Sequence, residues 1–398
     1  MDKFIDKISD IDKTKWYLPI ILFILSTFLL TFRLNTTPRG YSTSELSTRS
    51  NLVDHLYTFH YLIHHFSTVL FSTYLVILNY IDLHNLTQIR FVGYLCGIFA
   101  IFLFFYIARV LTNKFIGSIT TAMFATSLWF LQIVRNSLTL EFYSFAVLAF
   151  IFISVLYYRK KNLHRLAISL AILLGLSFYV PGMAWFGLLF LIINRKTLHL
   201  EAKLLSKKFK LSTLLIFLVI LAPIVYESVS SHSLIRSTLL IPSSFHPHLI
   251  LTQLLDYPKN LFIQNNSQLR FSTGRLPMVH FASAILLIFS GIWFYRNWKN
   301  PITSYISYSL IIGWILVALN GSKAIYIIMP LISLLVSIGI FYLYKEWKRV
   351  FPRNPYPDFV ANLLISLLVA GICFYQILLY FIVWPHTTQV LSIYSHYL

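Results

Sequence analysis

The chain has 398 residues, of which 58% are hydrophobic, 17% aromatic and only 11% charged, with a mean hydropathy of +0.73. That balance excludes a soluble globular protein, which carries about a quarter charged residues. The formal charge of +19 raises nucleic acid as a partner, but 22 of the 32 Lys and Arg lie in loops that alternate to one side of the apolar runs, a bias that orients membrane proteins and needs no nucleic acid to explain it.

The apolar runs lack the alternation of barrel strands, so the expected fold class is an all-α polytopic membrane protein, because lipid-facing segments must satisfy their own backbone hydrogen bonds. Met1 to Lys15 reads as a short amphipathic cytoplasmic helix. About 11 transmembrane helices are expected: near Trp16–Phe32, Arg90–Leu111, Phe115–Val134, Glu141–Tyr158, Leu166–Tyr179, Gly182–Ile193, Leu211–Tyr226, Val279–Tyr295, Thr303–Leu319, Ala324–Tyr344 and Phe359–Trp384. The short Gly182–Ile193 run could instead form a tilted or re-entrant pair with its neighbour. Residues 1–398 form a single membrane domain with two long polar loops, 33–88 and 228–277, both expected outside the cell. Within the first, Val69–Ile81 is apolar but too short to cross, and reads as a juxtamembrane helix. The odd count places the N-terminus in the cytoplasm and the C-terminus outside. Cys96 and Cys373 lie inside predicted spans and read as small apolar side chains rather than a disulfide.

The first polar loop carries Pro38, Gly40, Ser44 and Glu45 in close succession. Arg90 leads into the second span, and Arg135 is followed six residues later by Glu141. Lys323 precedes a helix that contains Pro330. In this order the features resemble the GT-C superfamily of membrane glycosyltransferases, in particular its protein-O-mannosyltransferase and aminoarabinose-transferase-like branch. That branch reads Pro-x-Gly and then Asp-Glu, and here Ser44 stands in the Asp position.

The resemblance implies transfer of a sugar, with inversion, from a polyprenyl-phosphate donor to an extracytoplasmic glycan, lipid or protein acceptor at the plasma membrane. Such transfer needs a base for the acceptor hydroxyl and cations for the departing phosphate. Six acids fall on the expected outer side: Glu45, Asp54, Asp82, Glu141, Glu227 and Asp256. Glu45 takes the base or orienting role, with Asp54 as the substitute base and Glu141 positioning the acceptor or a divalent ion. Arg135, Lys323 and Arg90 are expected to contact the donor phosphate. No cofactor is assigned, and a divalent metal ion is compatible with the chemistry. Equally, Glu45 at the start of a helix after Ser42 and Thr43 reads as a dipole-stabilising residue, Arg135 and Glu141 as an interfacial ion pair, and Lys323 as a helix-start charge. His60 and His64 share a helical face at ligand spacing, but no acid completes a metal motif there. With Ser44 in place of Asp, the alternative is a non-catalytic relative that binds lipid-linked glycans or scaffolds envelope assembly. A transporter ranks last, because no internal repeat is present and the polar residues gather in loops.

Overall fold

The computed structural model describes residues 17–34, 36–54, 56, 58, 69–81, 85–136, 141–159, 163–230, 232–242, 244–263, 276–350 and 355–394. Among these residues the structure is helical throughout, apart from an isolated bridge between Thr36 and Arg39. The helices are α1 (Tyr17–Thr31), α2 (Thr43–Val53), α3 (Val69–Tyr80), α4 (Leu86–Leu111), α5 (Lys114–Thr126), α6 (Leu128–Val134), α7 (Glu141–Tyr158), α8 (Leu163–Leu176) and α9 (Met183–Ile193). They continue with α10 (Arg195–Leu204), α11 (Lys207–Ser230), α12 (His232–Thr238), α13 (Pro247–Phe262), α14 (Phe281–Arg296), α15 (Pro301–Asn320), α16 (Ile325–Val350), α17 (Pro355–Leu378) and α18 (Thr388–Ile393). A π-helical turn, Leu379–Val383, and a 3-10 turn, Trp384–His386, join α17 to α18.

The expectation of about 11 spanning helices is not met. Five helical stretches are long and apolar enough to cross a bilayer: Thr87–Leu111, Lys207–Val229, Pro301–Asn320, Ile325–Val350 and Asp358–His386. The count rises to 6 if α5 and α6, which meet at a 60° bend, form one broken span. The other apolar runs fold as helices of 10–17 residues. At about 1.5 Å per residue these reach at most roughly 26 Å, short of a hydrocarbon core of about 30 Å. Apolar composition alone does not set helix length, because the breaks between runs shorten the helices. The outside placement of the C-terminus rests on an odd count, which five crossings keep and six would not.

α16 is the axis of the bundle. In its most apolar stretch 89% of residues are buried, against 6% for the peripheral α11. α14, α15 and α7 pack on α16, α4 packs on α5 and α7, and α1 and α17 both lie against α5. A continuous core runs through α4–α7, α9, α15 and α16 and reaches Tyr380, Trp384 and Tyr394 near the chain's end. A smaller cluster of Leu52, Leu75, Val76, Leu78 and Ile89 attaches α2 and α3 to the start of α4. At 12 residues α3 extends about 18 Å and cannot cross. It serves to pin the first polar loop to the bundle.

Candidate functional site

The site is built on the segment between α1 and α2, residues 32–42. As α1 ends, Arg33 takes a left-handed backbone conformation with φ 55°, and its carbonyl accepts from the amides of Thr36 and Thr37, both at 3.1 Å. The chain then turns through a cis Thr37–Pro38 bond and through Gly40, whose φ of 88° suits a residue without a Cβ. Ser42 caps α2. Its hydroxyl accepts from the Glu45 amide at 3.3 Å, while the Glu45 carboxylate accepts from the Ser42 amide at 2.9 Å. This reciprocal pair is a capping box.

Arg90, on the first turns of α4, fastens this loop. Its Nε donates to Glu45 Oε1 at 2.7 Å and its Nη2 to Glu45 Oε2 at 3.2 Å. The remaining N–H groups reach the carbonyls of Leu34 at 2.9 Å, Gly40 at 3.3 Å and Pro38 at 3.5 Å. Arg90 and Glu45 are both fully buried. Burial alone would raise the Glu45 carboxyl, but the Arg90 charge, its hydrogen bonds and the Ser42 donors outweigh it, and the group ionises below the ordinary carboxylate range.

Arg135, at the end of α6, is the second buried guanidinium. It donates to the carbonyls of Phe32 at 2.6 Å and Leu29 at 3.1 Å, stapling the end of α1. Its Cζ lies 5.0 Å from the ring centroids of both Tyr380 and Phe381. Its Nε is buried and makes no hydrogen bond among the described residues. Tyr380 in turn reaches the Thr37 carbonyl at 3.5 Å and stacks on Trp384, with centroids 5.1 Å apart. The Tyr394 hydroxyl donates to Asn136 Oδ1 at 2.9 Å. The closing segment of the chain therefore folds back over the first loop.

Of the residues singled out from sequence, the structure brings Glu45 and Arg90 into direct contact and sets Arg135 beside them, with Tyr380 between. Asp54 stands exposed at the end of α2, and its carboxylate accepts from the Ser50 hydroxyl at 3.4 Å. Glu141 opens α7 and Lys323 lies on the 3-10 turn Gly321–Ala324, but both side chains fall outside the described residues. Asp82, His60, His64 and His65 fall outside them altogether. Asp256 is exposed and Glu227 half-buried, on α13 and α11. Among the described residues no three His, Cys, Asp or Glu side chains gather as a metal centre. Sequence reasoning passed over Tyr380, Trp384 and Tyr394. The only signal for Tyr380 and Trp384 was the aromatic density of the last span, which reads equally as lipid-facing, and Tyr394 lies beyond that span.

No family model matches the chain, and no curated protein matches it. Its fold matches the crystal structure of the Archaeoglobus fulgidus oligosaccharyltransferase in the apo form, with a TM-score of 0.57 and 12% sequence identity. The match covers 94% of this chain and 56% of that one, so the chain spans little more than half the length of the structure it resembles. At this identity the likeness is one of fold alone: the two chains share a multi-helix architecture.

Proposed function

We propose that the chain is an integral-membrane glycosyltransferase that passes a sugar, with inversion, from a polyprenyl-phosphate donor to an extracytoplasmic glycan, lipid or protein acceptor. The observation that carries this reading is the buried Glu45–Arg90 pair, which holds a polar loop closed over the end of a bundle whose fold is shared with an oligosaccharyltransferase. A carboxylate and a guanidinium withdrawn from water are costly to keep unless the loop they fix must hold its shape.

In this proposal Glu45 orients the loop instead of abstracting a proton, since Arg90 and Ser42 engage both of its oxygens. Proton abstraction from the acceptor falls to Asp54 or Glu141. Arg135 and Lys323 stay on the donor side, with Arg90 acting through the loop it clamps. The test is transfer of labelled sugar by purified protein supplied with polyprenyl-phosphate sugars. Asp54→Asn or Glu141→Gln should slow transfer by about 10²- to 10⁴-fold, the share a general base usually contributes, with the melting temperature unchanged. Full turnover in both variants would remove the proposed base.

The engagement of both Glu45 oxygens, together with Ser44, also favours a second reading: a non-catalytic protein that binds lipid-linked glycans. Saturable binding of the donor with no release of sugar under any acceptor condition would decide for it.

A further inference from the structure

The turn at residues 33–40 and the closing segment of the chain enclose a cavity of about 490 Å³. Its walls include Arg33, Arg39 and His386, three exposed groups that the Glu45–Arg90 scheme does not use. Arg33 is set by its left-handed backbone, with its guanidinium carbon 5.5 Å from the Phe32 ring centroid. Arg39 is fixed by its bridge to Thr36. Both stand on the turn whose Leu34, Pro38 and Gly40 carbonyls Arg90 grips, so their backbones are held in place before any ligand arrives. On the facing wall, His386 Nδ1 lies 2.6 Å from the Ile382 carbonyl oxygen, beside Phe381 and Tyr394.

Among the described residues neither Arg33 nor Arg39 has a carboxylate partner; the ion pairs formed there belong to Arg90, Arg296, Lys348 and Arg349. Among the described residues no acid lines the cavity. Two guanidinium-bearing residues in the wall of one cavity, with no counter-ion among the described residues, leave its positive charge uncompensated, and an anion bound there relieves it. A tetrahedral oxyanion offers several acceptor oxygens to the planar forks of arginine, a geometry that a single halide or carboxylate meets less completely.

We propose that this cavity binds a phosphate-class oxyanion through Arg33 and Arg39, with His386 as a third contact. The phosphate can belong to a lipid headgroup or be free in solution. Where it belongs to a lipid-linked donor, the inference rests on the proposed function and supplies its phosphate subsite. Binding does not require turnover, so the two are read separately.

The experiment compares the purified wild-type chain with the Arg33→Gln/Arg39→Gln double variant. Inorganic phosphate is titrated by phosphorus NMR. A polyprenyl monophosphate and phosphatidylglycerol are titrated in nanodiscs of phosphatidylcholine. At least a tenfold loss of affinity for one or more probes is expected in the double variant, with partial retention in Arg33→Lys/Arg39→Lys. Loss confined to the lipid probes assigns the phosphate to a headgroup, and an equal loss for inorganic phosphate assigns it to the free ion. His386→Gln, expected to weaken binding several-fold, carries the test if the double variant loses its thermal transition. Wild-type affinity for every probe in these variants overturns the proposal, whether or not transfer is observed.

Discussion

At the scale of single residues, the Glu45–Arg90 pair decides the most. Arg90 makes five hydrogen bonds, two to the Glu45 carboxylate and three to backbone carbonyls. Replacing one member leaves the other charge buried and uncompensated, which costs about 3–5 kcal/mol. Glu45→Gln and Arg90→Lys should therefore each lower the melting temperature in detergent, because lysine offers a point charge where the loop needs a planar fork. A melting temperature within about a degree of wild type in both would show that the pair does not hold the loop. The pH dependence has a definite sign. Since the folded Glu45 carboxyl ionises below its unfolded value of about 4.3, its stabilisation is complete above that pH and is lost as pH falls through the lower, folded value. The difference in melting temperature between wild type and Glu45→Gln should thus hold steady from neutral pH to about 5 and shrink below 4. A gap that widens in acid would contradict the depressed ionisation.

Among the elements, the closest packing occurs where glycine lets backbones touch. Gly339 on α16 meets α14 so tightly that an added Cβ would collide with the Leu286 carbonyl, whereas Gly291, on α14 itself, has no heavy atom within 4 Å of its Cβ position. Gly339→Ala should destabilise by about 1–3 kcal/mol through overpacking, while Gly291→Ala, in an open helical position, should be neutral or stabilising by up to about 1 kcal/mol. Equal thermal shifts in the two variants would mean that propensity, not packing, sets the response. The long helices were legible in sequence because α4, α11, α15, α16 and α17 each carry an uninterrupted apolar run. The break between α5 and α6 was not legible. No proline or glycine marks Ser127, and the bend is sustained from outside the segment, where Gln376 of α17 accepts from the Leu128 amide at 3.0 Å. A hydrogen bond across 248 residues leaves no local trace. In the first loop, Ser42 and Glu45 at capping-box spacing did point to a helix start. That Glu45 would be claimed by Arg90 depends on how α4 returns to the loop, which no spacing within the loop encodes.

For the whole molecule, the open question is which loops share a side, and parity settles it. The segment 195–210 carries Arg195, Lys196, Lys203, Lys207, Lys208 and Lys210, all exposed, and the positive-inside bias predicts that it faces the cytoplasm. The proposed function needs the first loop on the opposite face. Opposite faces require an odd number of crossings between Ser47, exposed on α2, and Ser206, exposed before α11. α4 supplies one crossing by length alone. The bent pair α5–α6 then either turns back as a re-entrant hairpin or crosses, and in the second case an odd number of the shorter helices α7, α8 and α9 must cross with it, at the cost of local bilayer thinning or snorkelling flanking residues. With the half-buried Cys96 and Cys373 replaced by Ala, Ser47→Cys should react with a membrane-impermeant maleimide on intact cells, and Ser206→Cys only after permeabilisation. Labelling of both from one side would make the crossing number even. The charge bias would then have misassigned one loop, and the acceptor could no longer be placed outside the cell on the strength of Glu45 and its neighbours.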